Sequence, residues 1–264
     1  MISPRLIATI ESEEPAARLA VLIDADNAQA SVIEGILAEV AKFGEATVKR
    51  IYGDFTSPNS ASWKKVLQQY AIKPMQQYAY TKGKNATDSA MIIDAMDLLY
   101  ARKYDGFCLV TSDSDFTGLA TRIREEGITV LGFGEKKTPD AFRAACNKFI
   151  FTEVLRQDVT PTESITTSNK TKSVASDKTV VVHTTPELPK KFILDALEQS
   201  TDEDGWAQLG TFGSYLTKLQ TDFDSRVYGY KKLSDLVKAR TDLFITDERM
   251  APGQTLKNLY LRAK

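Results

Sequence analysis

The sequence predicts an α/β domain, an open and mainly parallel sheet flanked by helices, followed by a small C-terminal winged helix-turn-helix domain. Three observations carry that prediction. Between Leu19 and Leu155, short continuous apolar runs of strand length alternate with stretches of helical periodicity; such alternation implies a parallel sheet with right-handed crossovers. Two of the runs, LAVLIDADN at 19–27 and GFCLVTSDSDF at 106–116, end abruptly in carboxylates, as buried parallel strands leading into a ligand crevice do. Beyond residue 188, three helical stretches and two strand-like pieces around Pro252 and Gly253 give the pattern of three helices and a β-hairpin wing.

Residues 1–18 combine Pro4, Pro15 and a cluster of Glu and form a lead-in with no assigned element. Leu19–Asp24 is the first strand. Ala28–Phe43 reads as its helix, with Val32, Ile33, Ile36, Leu37 and Val40 at helical spacing and Gly44 as the stop. Ala46–Tyr52 is the second strand, and a helix from about Ser60 to Tyr70 places Trp63, Val66, Leu67 and Tyr70 on one face. Ile72–Tyr80 is the third strand; Pro74 assigns it to a sheet edge or a strand start. A polar basic loop from Thr81 opens a long helix that Thr87 or Asn85 caps, with Met91, Ile92, Ala95, Leu98 and Leu99 as its buried face. The fourth strand begins near Phe107. A helix from Asp115, with Asp115 as a candidate cap, runs to Glu126, then come the strand Ile128–Gly134, a short helix begun by Thr138 or Asp140, and an edge segment in KFIFTEVL. These elements make a first domain at 19–156. Residues 157–187 are rich in Ser and Thr and lack aromatics, the composition of a flexible linker. Residues 188–264 form the second domain.

The formal net charge of −1 provides no long-range attraction for nucleic acid or membrane, so local patches or a metal ion must supply any. Cys108 and Cys146 lie in apolar surroundings and read as buried free thiols. No apolar run reaches the length of a membrane span and the N-terminus lacks a signal-peptide core, so a cytoplasmic location is the expectation. The single histidine, His183, falls in the linker, which excludes acid/base chemistry built on histidine. A GxxxxGK[ST] phosphate loop and a dinucleotide fingerprint are both missing from the sequence. Trp63 and Trp206 read as core residues.

If the first and fourth strands are neighbours, Asp24 and Asp113 face one crevice, and the N-terminus of the long helix delivers Asp88 to it. Crowded carboxylates resist ionisation unless a cation sits among them, and such oxygen ligands suit Mg²⁺ or Mn²⁺. Asp115 is a fourth candidate ligand. Asp26, Asn27 and Asp94 rank lower; Asp94 lies six residues beyond Asp88, about 240° round the helix, off its face. Lys82, Lys84 and Asn85 in the basic loop are candidate phosphate contacts. In the second domain, twelve Lys or Arg against eleven Asp or Glu do not indicate a generic basic DNA-binding face. Arg226, Tyr228, Tyr230, Lys231 and Lys232 nevertheless combine cations and aromatics in a way that suits exposed bases.

LIDADN at 22–27, KNATDSAMIIDA at 84–95 and TSDSDF at 111–116, followed by GITVLGFG, make the first domain resemble the NYN family, a branch of the PIN-like metal-dependent ribonucleases. The resemblance implies an acidic catalytic and metal-binding centre at Asp24, Asp88, Asp113 and Asp115, with Asn27 as the amide beside the first Asp. LGTFGSYLTKLQTDFDSRVYGYKKLSDLVKA at 209–239 is similar to the LOTUS, or OST-HTH, domain, a winged-helix module implicated in RNA binding. Together they imply a ribonuclease with a C-terminal RNA-binding module, acting on single-stranded or structured RNA, and a possible protein partner through the LOTUS-like domain. Two other readings use the same residues: an RNA-binding or adaptor protein whose metal pocket has little or no turnover, and a phosphatase or nucleotide hydrolase on a similar sheet.

Overall fold

A computed structural model describes residues 16–56, 61–78, 86–156, 186–250 and 257–264. The chain divides into two compact units, Met1–Leu155 and Arg156–Lys264. Of the linker expected at 157–187, residues 157–185 lie outside the described residues, as does the loop holding Lys82, Lys84 and Asn85.

Among its described residues the first unit contains six strands: β1 (Arg18–Asp24), β2 (Glu45–Gly53), β3 (Lys73–Gln76), β4 (Gly106–Val110), β5 (Thr129–Gly134) and β6 (Lys148–Phe151). Five helices connect them: α1 (Ile33–Val40), α2 (Ala61–Gln69), α3 (Ala86–Tyr100), α4 (Thr117–Glu125) and α5 (Asp140–Ala145). The sheet order is β3-β2-β1-β4-β5-β6, and each pairing is parallel. Strand order therefore reverses between β1 and β4, the adjacency that the two acid-ended runs require. Leu19 to Ile23 are all buried, as expected for a strand with neighbours on both sides and helices over both faces.

Several boundaries differ from the sequence expectation for local reasons. Asp24 O accepts from Ala28 N at 2.9 Å and Gln29 stays extended, so the first helix opens late, as a 3-10 turn at Ala30–Val32 before α1. Gly44 lies where a Cβ would meet Ala17 O at 2.1 Å, so the return to β2 requires glycine. The third strand is four residues long and at the sheet edge, where Pro74 withholds no needed hydrogen bond. Thr87 is inside α3 rather than at its cap. Asp113, not Asp115, caps the 3-10 turn Ser114–Phe116 that precedes α4, accepting from Asp115 N. The short helix α5 begins at Asp140, one of the two expected starts, with Pro139 as its N-cap. Cys108 and Cys146 are both free and buried, and burial pushes each thiol up to about 12.

The second unit contains α6 (Lys190–Glu198), β7 (Ala207–Gln208), α7 (Leu209–Leu219), α8 (Leu233–Ala239), β8 (Phe244–Met250) and β9 (Lys257–Ala263). Its antiparallel sheet has the order β7-β9-β8. Ile193, Leu197, Phe212, Leu216, Leu236, Val237, Phe244 and Leu261 form its core. The two-residue strand β7, which joins the wing to a third strand, has too little length to show in a periodicity. Among the described residues, no helix is long and apolar enough to cross a membrane.

Candidate metal centre

Asp24 is the last residue of β1 and is fully buried. Its Oδ1 accepts from Asp26 N at 3.0 Å, and its Oδ2 accepts from Asn27 Nδ2 and Thr111 Oγ1, each at 2.8 Å. A buried carboxylate needs such donors in place of water. Thr111 follows β4 directly, and its hydroxyl also accepts from Asp113 N at 3.1 Å. One threonine thus joins the ends of β1 and β4 across the switch point.

Beyond that link, Asp88, Asp113 and Asp115 each offer a carboxylate oxygen, all within 4.8 Å of one another. Asp88 comes from the first turn of α3, where a negative charge suits the positive helix end. Asp113 and Asp115 come from the turn that opens α4, and Asp113 Oδ1 is fixed by Asp115 N at 2.9 Å. Asp24 is not a member of this triad but acts on it through charge. Burial raises Asp88 most, and Asp24, Asp113, Asp115 and Asp26 add repulsion in that order, pushing it up to about 6. Asp26 is also raised, first by burial, then by Asp24 and Asp54. Among the described residues no ion pair reaches Asp24, Asp88 or Asp113. The donor set is all oxygen and anionic, and fits a hard divalent cation.

A family model for the NYN domain matches residues 18–155, just over half of the chain. The chain belongs to the NYN domain family. A second model, for the OST-HTH/LOTUS domain, matches residues 184–254, so a LOTUS domain follows the NYN domain. Among solved structures, an uncharacterised protein from Nitrosomonas europaea, determined by NMR, is 62% identical over 36% of this chain and 92% of its own, with a TM-score of 0.30. A protein of unknown function from Vibrio parahaemolyticus is 18% identical over 52% of this chain and 93% of its own, with a TM-score of 0.45. No curated protein matches the chain. The NYN domain points to a nuclease-type hydrolase superfamily, and the LOTUS domain suggests RNA binding.

Within the NYN domain, Asp94 has a structural task. Its two carboxylate oxygens accept separately from Arg50 Nη1 and Tyr52 Oη, both on β2. This clamp ties α3, and with it Asp88, to the strand beside β1. Tyr52 is fully buried, and burial first, then the Asp94 contact, hold its hydroxyl well above the ordinary range. Arg50, Tyr52 and Thr111 are not marked as site residues by any motif in the sequence. The first two share a face by strand alternation, but only the sheet order reveals that α3 crosses it. Thr111 lies inside the TSDSDF motif but carries no charge to distinguish it.

In the LOTUS domain, the residues nominated for RNA are divided between packing and surface. Tyr228 and Tyr230 pack against the core, with Tyr228 5.8 Å from Phe223, ring to ring. Arg226 is gripped by Asp224 at 2.6 Å, whereas Lys231 and Lys232 are exposed and precede α8. Trp63 is buried as expected, but Trp206 is not a core residue. It lies half-exposed, with the Arg249 guanidinium 4.5 Å and the Arg262 guanidinium 4.9 Å from its ring centre.

Proposed function

We propose that this protein is a metal-dependent ribonuclease whose LOTUS domain binds the RNA. The observation that carries the reading is the convergence of Asp88, Asp113 and Asp115 within 4.8 Å, beside the buried Asp24, at the reversal of strand order in an NYN domain. These three carboxylates would hold Mg²⁺ or Mn²⁺. When bound, the ion supplies the charge that acidifies a water and offsets negative charge building on the scissile phosphate.

The protein's own groups prepare that chemistry. Asp24 holds one fixed orientation through Asn27, Thr111 and the backbone of Asp26, and adds negative potential behind the triad. The backbone hydrogen bond from Asp115 to Asp113 fixes the spacing of the α4 pair, while the Asp94 clamp holds α3 at its depth. Without a cation this crevice repels a phosphate backbone, so RNA binding at the NYN domain itself depends on metal.

Incubating the full chain with single-stranded RNA, duplex RNA, DNA and a nucleotide, with Mn²⁺ or with EDTA, tests the reading beside an Asp113→Asn variant. The expected outcome is RNA cleavage abolished by EDTA and by the substitution. Binding of RNA without cleavage would replace the enzyme with an adaptor, and phosphate release from the nucleotide alone would replace it with a phosphatase.

A further inference from the structure

The outer face of the LOTUS sheet carries an ordered stack of cations and aromatics that the nuclease chemistry does not use. In β8 and β9, Phe244 and Leu261 point to the core, so by strand alternation Ile245, Asp247 and Arg249 share the opposite face with Asn258, Tyr260 and Arg262. The pairing brings Ile245 opposite Arg262, Asp247 opposite Tyr260 and Arg249 opposite Asn258. Ala207 on β7 is buried and Gln208 pairs with Tyr260, so Trp206, one residue before β7, falls on the outer face.

There the Arg249 guanidinium is 4.5 Å from the ring centre of Trp206 and 4.7 Å from that of Tyr260, and Arg262 is 4.9 Å from Trp206. A guanidinium stacked in this way keeps N–H groups at its edge that can still donate. Arg249 Nε also contacts Asp247 at 2.9 Å, so the outward residues of β8 and β9 carry two arginines against one carboxylate.

We infer that Trp206, Arg249, Tyr260 and Arg262 form a binding face for single-stranded RNA, with bases stacking on the planar groups and phosphates meeting the guanidinium edges. This rests on the proposed RNA substrate and deepens it by moving the binding surface away from Tyr228 and Tyr230, which the core occupies. Single strands fit the face better than duplexes because stacking needs unpaired bases. A planar arginine and aromatic stack accepts every base, so the face holds RNA without reading its sequence.

The test uses the full chain and a fluorescently labelled oligouridine in Mn²⁺, with the Asp113→Asn background preventing cleavage. Anisotropy gives affinity, and tryptophan emission reports on Trp206, since Trp63 is buried in the other unit. Arg249→Ala with Arg262→Ala should weaken binding about tenfold or more, and should lower the slope of log affinity against log salt by about 1.4, near 0.7 for each lost phosphate contact. Arg249→Lys with Arg262→Lys, which keeps the charge but loses the planar stack, should restore the salt slope but not the full affinity. RNA should quench emission in the parent, and Trp206→Phe should remove that quenching. Unchanged affinity and salt slope in both arginine pairs, with RNA still bound, would overturn this face while leaving the ribonuclease reading intact. Failure of the parent to bind RNA at all would overturn this face together with the RNA-binding role of the LOTUS domain, whereas the ribonuclease reading stands or falls on cleavage by the unsubstituted chain.

Discussion

Replacing Asp88 by Asn should make the metal-free protein more stable and deprive it of its response to metal. Asp88 is raised from 3.8 to about 6 by burial and by four neighbouring carboxylates. Two pH units at about 1.4 kcal/mol each set a ceiling of about 3 kcal/mol on the penalty for its charge at neutral pH. The group is half-exposed, and solvent screening reduces this to about 1 kcal/mol, or about 3 °C in Tm for a unit of this size. The sign follows from proton binding: between pH 3.8 and 6 the folded state holds the proton that the unfolded state has released, so stability falls as pH rises through that window. In EDTA, thermal unfolding of the wild type should therefore lose about 1 kcal/mol between pH 4 and pH 7 from this group, a loss absent in Asp88→Asn. Added Mn²⁺ at about ten times its Kd should raise the wild type by about 1.4 kcal/mol and leave the variant unmoved. A variant less stable than the wild type in EDTA, or equally stabilised by Mn²⁺, would refute the view that these carboxylates crowd one another around a cation position.

Other consequences can be measured on the same protein. Asp94→Ala strands Arg50 and the buried Tyr52 hydroxyl, and should cost about 3 kcal/mol in urea unfolding, as breaking a largely buried ion pair does. Gly134→Ala would bring a Cβ to 2.6 Å from both Thr111 O and Thr138 Oγ1, and should cost about 1–3 kcal/mol by overpacking while disturbing the Thr111 link to Asp24. Thr111→Val removes a donor to buried Asp24 at nearly constant volume; RNA cleavage should fall at least about tenfold, with a stability loss of about 1–3 kcal/mol. Cys108 and Cys146, each pushed up to about 12 by burial, should react with a thiol reagent at neutral pH only after unfolding.

The parallel sheet was legible because its signals are local. LAVLID and GFCLV are apolar without interruption and then stop at an acid, and neither tolerates an exposed face. The same locality exposed Asp24 and Asp113, and the polar opening of α3 exposed Asp88. What escaped depended on partners distant in the chain. That Arg50 and Tyr52 close on Asp94 follows from the path of α3 over β2, and the helical angle between Asp88 and Asp94 gave only half of it, namely that the two acids part company. Asp24 lies outside the close triad because a strand end and two helix starts reach the crevice at different depths, a distinction that spacing along the chain does not encode. In the LOTUS domain, Tyr228 and Trp206 both lie beside a glycine and a small or branched apolar residue, yet one packs inward and the other outward. The outward side of Trp206 is set by the pairing of β7 with β9, and a two-residue strand leaves no periodicity to read.

The central claim is that acids from α3 and from the turn before α4 share one divalent cation. Anomalous scattering from Mn²⁺ in crystals of the full chain tests it most directly: a peak should lie within about 2.2 Å of oxygens from Asp88, Asp113 and Asp115, and vanish in Asp113→Asn. Mn²⁺ bound elsewhere, with these three carboxylates holding only water or a lysine, would contradict it.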